Sequence, residues 1–255
     1  MEEDRLAKTS KDLRQIADML LLNGTLTECP GLVHGKMGIA VFFFHYAKHT
    51  GNELFADYAM DLISEMLNQL HVNSPADYER GLAGIGVGID YLIRNDFLKV
   101  EEDICEDFDS RMFRAVLYDP WLDFSQYSGL TGYGRYWMTR LHYEAPSMQA
   151  RKCLLHIVSQ VEEKLPNISD NELHDVYCFL HDLCQTQGFE KCKGLLAQFN
   201  PQPVIDKIDI ARKQIVDLDK EKPPISTGLL TGYAGEGMLR LTAIEPSNIS
   251  WMHLL

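Results

Sequence analysis

Three features are missing from this sequence, and each absence excludes a class of protein. β-Branched residues do not alternate with polar ones between tight turns, so no strand is indicated. No uninterrupted apolar stretch approaches the roughly 18 residues that a membrane span requires. The N-terminus is acidic, which is not typical of a signal peptide. We therefore expect a cytoplasmic protein with no membrane span and no export signal.

Basic residues are too few to balance the acidic ones. The 255 residues contain 24 Lys and Arg against 37 Asp and Glu, which gives a net charge of −13. Such a surface repels phosphate backbones and anionic headgroups, so nucleic acid is not an expected partner. The hydrophobic fraction of 45% beside a charged fraction of 24% is typical of a globular protein and excludes a disordered one.

Cysteines are also few, and they lie far apart. They lack both the short paired spacing of a zinc ribbon and the density of a disulfide scaffold. The six are Cys29, Cys105, Cys153, Cys178, Cys184 and Cys192. This spacing predicts reduced thiols.

Helical periodicity runs through almost the whole chain. Amphipathic stripes of apolar residues at helical spacing occur in five segments, at 10–23, 52–70, 101–117, 147–165 and 204–218. Shorter segments that are apolar around most of their circumference lie between them, at 39–46, 85–93, 133–141 and 237–244. Alternation of an outer amphipathic helix with an inner buried helix is typical of an α/α solenoid or toroid.

Each of these four inner segments begins with two glycines three residues apart. The pairs are Gly35 and Gly38, Gly81 and Gly84, Gly129 and Gly132, and Gly232 and Gly235. The first glycines are 46, 48 and 103 residues apart, so a unit without this signature lies in the longest interval. Its inner helix is predicted at 171–187, ended by Gly188. The predicted fold is all-α, a single domain over residues 1–255 that forms an α/α toroid or incomplete toroid of about five helical hairpins.

The paired glycines have a structural explanation. Without a Cβ atom, glycine permits an unusual backbone turn and a close approach between neighbouring helices, which the crowded start of an inner helix needs. A phosphate-binding loop is excluded because no strand precedes the glycines and no Gly-Lys-Ser/Thr follows them.

These motifs resemble those of the lanthionine synthetase C-like family. The resemblance rests on Gly-x-x-Gly-Ile in residues 31–40 and 81–86, and on the last repeat at 228–241 with an apolar tail ending in Leu254-Leu255. It covers most of the chain and implies a toroid, with seven hairpins in the family. The implied activity adds a peptide cysteine across dehydroalanine or dehydrobutyrine to close a thioether ring. In the family, a Trp-Cys-x-Gly motif and a Cys-His-Gly motif hold the zinc that activates the thiol.

Both zinc motifs are missing from this chain. It has no Trp-Cys and no Cys-His dipeptide, and the residues before the repeat glycines are His34, Arg80, Ser128 and Thr231. It is also about two hairpins shorter, in the region where the family keeps its zinc. The resemblance therefore implies a relative with no metal and no cofactor, which serves as a peptide-binding or accessory component of a peptide-modification system. The expected partners are a peptide substrate or a modification enzyme.

Two functional alternatives stay open. The first is an active α/α-toroid enzyme, either a metal-free thiol-addition cyclase or a carbohydrate-active hydrolase with paired carboxylates. The candidates for such carboxylates are Asp90, Asp123 and Glu236. The second alternative is a scaffold subunit that completes its ring with another protein, because five hairpins leave two helical edges open.

The candidate binding residues lie at the starts of the inner helices. They are Cys29, His34, Arg80, Tyr133, Trp137 and Tyr233. The aromatic side chains, with Tyr127 and Tyr136, either line a groove for an extended peptide or pack in the core. Cys29 and His34 either form a thiol–imidazole pair or have separate structural roles. In the second case Cys29 is a small buried residue in a turn, and His34 caps the start of a helix. The N–H groups at these helix starts also favour an anionic ligand group.

A second candidate cluster lies on the inner helix without the glycine signature. His174, Cys178 and His181 project from one helix face at the spacing of metal ligands. Three ligands along one helix do not easily close around a tetrahedral ion. In the alternative interpretation the two histidines flank a packed face, which consists of Leu173, Val176, Tyr177, Leu180 and Cys184.

Overall fold

The computed structural model describes residues 2–100, 103–119, 121, 123–144, 146–199 and 226–255, with side chains from residue 8 onward. These residues form ten α-helices and two 3₁₀-helices, and they contain no strand. The all-α prediction is therefore confirmed. The α-helices are α1 (Glu2–Asn23), α2 (Lys36–Thr50), α3 (Leu54–Gln69), α4 (Leu82–Arg94), α5 (Glu106–Leu117), α6 (Leu130–Arg140), α7 (Ser147–Lys164), α8 (Asp170–Leu183), α9 (Lys191–Leu196) and α10 (Tyr233–Ile244). The 3₁₀-helices are Leu165–Asn167 and Ser250–Leu254.

Eight of the predicted segments correspond to α1–α8, and the last inner segment corresponds to α10. The amphipathic segment predicted at 204–218 lies outside the described residues. The short helix α9 was not predicted. The helix α8 ends at Leu183, four residues before the predicted end, because i→i−3 hydrogen bonds such as Thr186 N–H to the Leu183 carbonyl tighten the chain there. Among the described helices, none is both long and apolar enough to cross a membrane.

The chain divides into two compact units. Unit 1 contains the described residues of Met1–Ser74, Tyr91–Leu98 and Ile205–Leu255, and unit 2 those of Pro75–Asp90 and Lys99–Val204. In unit 1 the last helix, α10, packs against both α1 and α2, and α2 packs against α3. In unit 2 the inner helix α6 packs against α5, α7 and α8.

Inner and outer helices differ in burial as the sequence predicts. The inner helix α2 is buried continuously from Lys36 to Ala47. The outer helix α3, its neighbour in unit 1, buries one stripe that consists of Ala59, Leu62, Ile63 and Met66. The hydrophobic effect therefore holds α2 from several sides and α3 from one side.

A seven-residue loop precedes each inner helix that carries the glycine signature. We call these the entrance loops, and they comprise residues 29–35, 75–81, 123–129 and 226–232. In each, the N–H of the first helical residue donates to the carbonyl seven positions earlier, at 2.8–3.0 Å. The four bonds run from Lys36 to Cys29, from Leu82 to Pro75, from Leu130 to Asp123 and from Tyr233 to Ser226. The repeat seen in the sequence is thus a repeat of hydrogen bonding.

The repeat glycines are required by close approach. A Cβ atom on Gly132 would lie 2.1 Å from the Gln126 carbonyl oxygen and 2.8 Å from the Tyr78 Cβ. At Gly38 and Gly235, too, it would lie within 2.3 Å of a carbonyl oxygen of the preceding loop. The positive-φ glycines among the described residues are Gly51 and Gly188, so the repeat glycines do not serve a left-handed turn.

Replacing Gly132 by valine is expected to lower the free energy of unfolding by about 1–3 kcal/mol, because the new side chain meets backbone that cannot move without opening the loop. Urea denaturation measures the change. The control is Gly194→Val, since a Cβ at Gly194 has no atom within 4 Å. If both variants unfold at the same denaturant concentration as the parent, close approach is not what selects these glycines.

Candidate functional site

The entrance loops are joined in pairs by the same backbone contacts in both units. In each pair, the carbonyl of the fifth residue of one loop accepts two hydrogen bonds. The donors are the N–H groups of the fourth and fifth residues of the other loop. In unit 1, the Val33 carbonyl accepts from Leu229 and Leu230 at 2.8 and 3.3 Å. In unit 2, the Tyr127 carbonyl accepts from Tyr78 and Glu79, both at 3.0 Å. The loop residues that carry the candidate site are therefore held on a fixed backbone.

The helix α8, which has no glycine signature, replaces a loop carbonyl with carboxylates. Its N-terminus is a capping box of Ser169 and Glu172. Glu172 Oε1 also accepts the N–H of Phe124 at 2.7 Å, and Asp175 Oδ2 accepts the N–H of Gln126 at 2.8 Å. Gln126 is the fourth residue of its loop, the position that elsewhere donates to a loop carbonyl. Carboxylates of α8 thus accept the loop N–H groups of Phe124 and Gln126, where a further entrance loop would offer a backbone carbonyl.

In unit 1, three of the predicted binding residues lie on one pair of loops. Cys29 begins its entrance loop and is half-buried, and its carbonyl closes that loop. His34, also half-buried, lies against the other loop, where a Cβ on Gly228 would be 3.2 Å from the His34 Nδ1. Tyr233 is buried at the start of α10. This pair of loops therefore presents the His34 imidazole, whereas Tyr233 is buried.

In unit 2, the other three predicted binding residues differ in exposure. Arg80 is exposed, and its Nε donates to Glu79 at 3.2 Å. Tyr133 and Trp137 are buried on α6, where the Trp137 ring packs edge-on against Tyr136. Burial raises the pKa of the Tyr133 hydroxyl above its usual value. Arg80 is thus the group of this set that is open to solvent in unit 2.

The starts of α2 and α10 do not offer the free N–H groups expected to favour an anionic ligand. In α2 the N–H groups of Lys36 and Met37 donate to the Cys29 and Pro30 carbonyls. In α10 those of Tyr233, Ala234 and Gly235 donate to the entrance loop in the same way. That expectation is wrong at these donors, because the preceding loop supplies their acceptors.

The residues before the repeat glycines do not fit the zinc of the related family. Ser128 Oγ donates to Asp123 Oδ2 at 3.1 Å, Arg80 carries a positive charge, and Thr231 offers a hydroxyl. His34 alone supplies a nitrogen ligand of the kind that zinc prefers. Within the described part of the chain, no three His, Cys, Asp or Glu side chains are grouped so as to hold a metal ion.

The cluster on α8 does not converge into a three-ligand site. His174 Nε2 lies 3.5 Å from Cys178 Sγ, so these two side chains meet. His181 instead lies 3.3 Å from Asp182 Oδ1 and stacks on Tyr177. The packed face of α8 consists of Val176, Phe179, Leu180 and Leu183, whereas Leu173, Tyr177 and Cys184 are partly exposed.

Each candidate carboxylate has a local partner. Asp90 is buried and accepts the Tyr143 hydroxyl at 3.3 Å, and Asp123 accepts the hydroxyls of its own entrance loop. Glu236 pairs with Arg240 at 2.7 Å, and burial raises its pKa above the usual value. Asp90 and Asp123 belong to unit 2 and Glu236 to unit 1. Nothing in these contacts favours a pair of hydrolytic carboxylates.

A charged network in unit 2 was not predicted from the sequence. Arg140 on α6 is 2% exposed and forks between Asp103 and Asp109. The Tyr136 hydroxyl also donates to Asp109, at 2.6 Å. The signal available in the sequence was that the buried segment 133–141 contains two arginines, Arg135 and Arg140. Because every polar group of Arg140 is engaged, we assign the network to stability.

Unit 1 also contains an open cleft of about 490 Å³ at the C-terminal end of α2, lined by Phe44, Lys48 and Phe97 among others. It lies at the opposite end of α2 from the entrance loop. Comparisons with protein-family models, with curated proteins and with solved structures found no match to this chain. Membership of the lanthionine synthetase C-like family therefore remains a prediction from the motifs.

Proposed function

We propose that this chain is a lanthionine synthetase C-like protein that binds peptides within a thioether-forming modification system and does not itself close the rings. The observation that carries the proposal is the entrance-loop repeat. The glycines that carry the family resemblance are the ones at which each loop closes on its inner helix. In all four occurrences, a Cβ on the first glycine of the pair would collide with the carbonyl of the residue that begins the loop.

Peptide binding is the part of the implied activity that these loops support. One pair of loops in unit 1 holds His34 on a fixed backbone, and a separate pair in unit 2 holds Arg80 in the same way. An imidazole and a guanidinium suit the carbonyl and carboxylate groups of a peptide, and fixed loops reduce the entropy lost on binding.

Ring closure requires an activated thiol, and these loops offer no group of ligands to activate one. A catalytic zinc takes three protein ligands and leaves one position for the thiolate. Of the four residues before the repeat glycines, His34 is the single zinc-type ligand. An unactivated peptide thiol with a pKa of about 8.5 is only a few per cent ionised at pH 7. We therefore assign this chain an accessory role.

A synthetic peptide with one dehydroalanine and one cysteine is expected to bind without faster cyclisation. Fluorescence anisotropy measures binding. Cyclisation leaves the mass unchanged, so it is followed by loss of the alkylatable thiol. His34→Ala and Arg80→Ala are expected to weaken binding several-fold, and the exposed Arg114→Ala is the control.

Elemental analysis of protein purified without chelator is expected to find no stoichiometric zinc. One zinc per chain together with accelerated cyclisation would overturn the proposal.

A further inference from the structure

The thiols of this protein differ in their chemical surroundings. Cys105, Cys153 and Cys192 are buried, and burial raises their pKa values to about 12, 12 and 11. Since the thiolate is the nucleophile, these three cysteines are inert near neutral pH. Cys184 is partly exposed, and its Sγ donates to the His181 carbonyl at 3.0 Å. A carbonyl oxygen holds the thiol proton without removing it.

Cys178 lies beside a base. It is partly exposed on α8, and its Sγ is 3.5 Å from the Nε2 of His174 one helical turn earlier. The i and i+4 positions of a helix place the two side chains on one face. This separation is within the range of a sulfur hydrogen bond, so a proton can pass between thiol and imidazole. A thiol next to an imidazole is the arrangement that activates a cysteine nucleophile.

The His174 ring is directed to this thiol and not to another polar group in the described residues. Its second nitrogen, Nδ1, is buried and has no hydrogen-bond partner there. By contrast, His181, about two turns further along α8, contacts Asp182. A histidine whose ring is held by a carboxylate or a carbonyl usually has a structural purpose. The Nε2 of His174 instead contacts the Cys178 thiol.

We propose that Cys178 is a nucleophilic thiol, with His174 as its base, that adds to the dehydroalanine or dehydrobutyrine of a bound peptide. The choice of substrate rests on the function proposed above. His174 Nε2 takes the thiol proton, and Sγ forms a bond to Cβ of the dehydrated residue. The electron pair of the Cα–Cβ double bond moves to Cα, where the imidazolium returns the proton. No oxidant or leaving group is needed, and the product is a thioether between protein and peptide.

Such a step would hold a dehydrated peptide on the protein. Addition to an unsaturated carbonyl group is reversible when a base removes the Cα proton again. His174 is placed to serve in both directions, as acid and base. The reaction needs no metal, and it uses the imidazole of His174 and the thiol of Cys178.

The first experiment measures thiol reactivity on the whole, reduced protein. A brief pulse of iodoacetamide at a series of pH values, followed by peptide mass spectrometry, gives a rate for each cysteine. We expect Cys178 to react about tenfold faster than Cys184 at pH 7. In His174→Gln, the Cys178 rate is expected to fall to that of Cys184 and the pH profile to move to higher pH, with Cys184 unchanged. Equal rates for the two thiols in the parent would overturn the proposal.

The second experiment uses N-acetyldehydroalanine amide as the probe. We expect one adduct per chain, mapped to Cys178 and absent from Cys178→Ser. Cys184→Ser, six residues further along the chain at the C-terminal end of α8, is the matched control and should keep the adduct. A fast iodoacetamide reaction without any dehydroalanine adduct refutes the proposed addition. The proposed function is tested separately, since peptide binding that persists in Cys178→Ser upholds it even when the addition fails.

Discussion

Replacing Arg140 by methionine is expected to lower the free energy of unfolding by about 3–5 kcal/mol. The guanidinium is 2% exposed, and its donors reach Asp109 Oδ1 at 2.9 Å, Asp109 Oδ2 at 2.7 Å and Asp103 Oδ1 at 2.9 Å. Methionine fills a similar volume but removes the positive charge. Two carboxylates, of which Asp109 is buried, then remain without their counter-ion, and an uncompensated buried charge costs this amount.

Urea denaturation at pH 7 measures the loss. The matched control is Arg114→Met, which removes an Arg–Asp pair of similar length, 3.0 Å, at an Arg side chain that is 69% exposed. Solvent screens such a pair, so its removal should change the free energy of unfolding by less than about 1 kcal/mol. Equal losses in the two variants would mean that burial does not decide the strength of the network.

A double variant separates the loss of charge from the loss of packing. Asp109→Asn keeps an acceptor for the Tyr136 hydroxyl and removes one of the two charges. The double variant with Arg140→Met is expected to lose less free energy of unfolding than the two single variants together. The reason is that Asp109→Asn removes the buried negative charge that Arg140→Met leaves without a counter-ion. Additive losses would show that packing, and not charge, accounts for the effect of Arg140→Met.

The hydrophobic pattern predicted the helices because their burial repeats along the chain. The apolar stripe at 52–70 became α3 with one buried face, and the all-round apolar segment at 39–46 lies in α2. The glycine pairs predicted close approach for a similar reason. A Cβ is excluded by a carbonyl six residues earlier, so the glycine and the group that requires it lie within one short stretch of sequence.

Polar partners were harder to predict because they are distant in sequence. Arg140 meets Asp109 across 31 residues, and Glu172 reaches the Phe124 N–H across 48. The Ser-x-x-Glu pattern of Ser169 and Glu172 does indicate a capping box. Its second role, as acceptor for a neighbouring loop, depends on how α8 packs against α6. Periodicity indicates which face is buried, but it does not pair the polar atoms on two buried faces.

Acid is expected to destabilise the protein through His45, by about 3 kcal/mol between pH 6.5 and pH 4. His45 is buried in α2, where its Nε2 lies 2.7 Å from the Tyr91 hydroxyl. Burial lowers the pKa of His45 from 6.5 to about 4, and the nearby Lys48 lowers it further in the same direction. Above pH 6.5 the ring is neutral in both the folded and the unfolded state, so it makes no pH-dependent contribution there.

The sign follows from where the proton binds first. Below pH 6.5 the unfolded chain takes up a proton at His45 while the folded protein does not, so each pH unit down to about 4 lowers the free energy of unfolding by about 1.4 kcal/mol. His45→Gln keeps a polar group near Tyr91 and removes the titration. Urea denaturation at pH 7 and at pH 4.5 gives the free energy of unfolding of both proteins. Between these two pH values, the parent is expected to lose about 2–3 kcal/mol more than the variant. Carboxylates titrate in both proteins and cancel in this comparison. A difference that stays constant with pH would mean that the folded protein accepts the proton on His45 as readily as the unfolded chain, and that the ring is not enclosed between α2 and the end of α4.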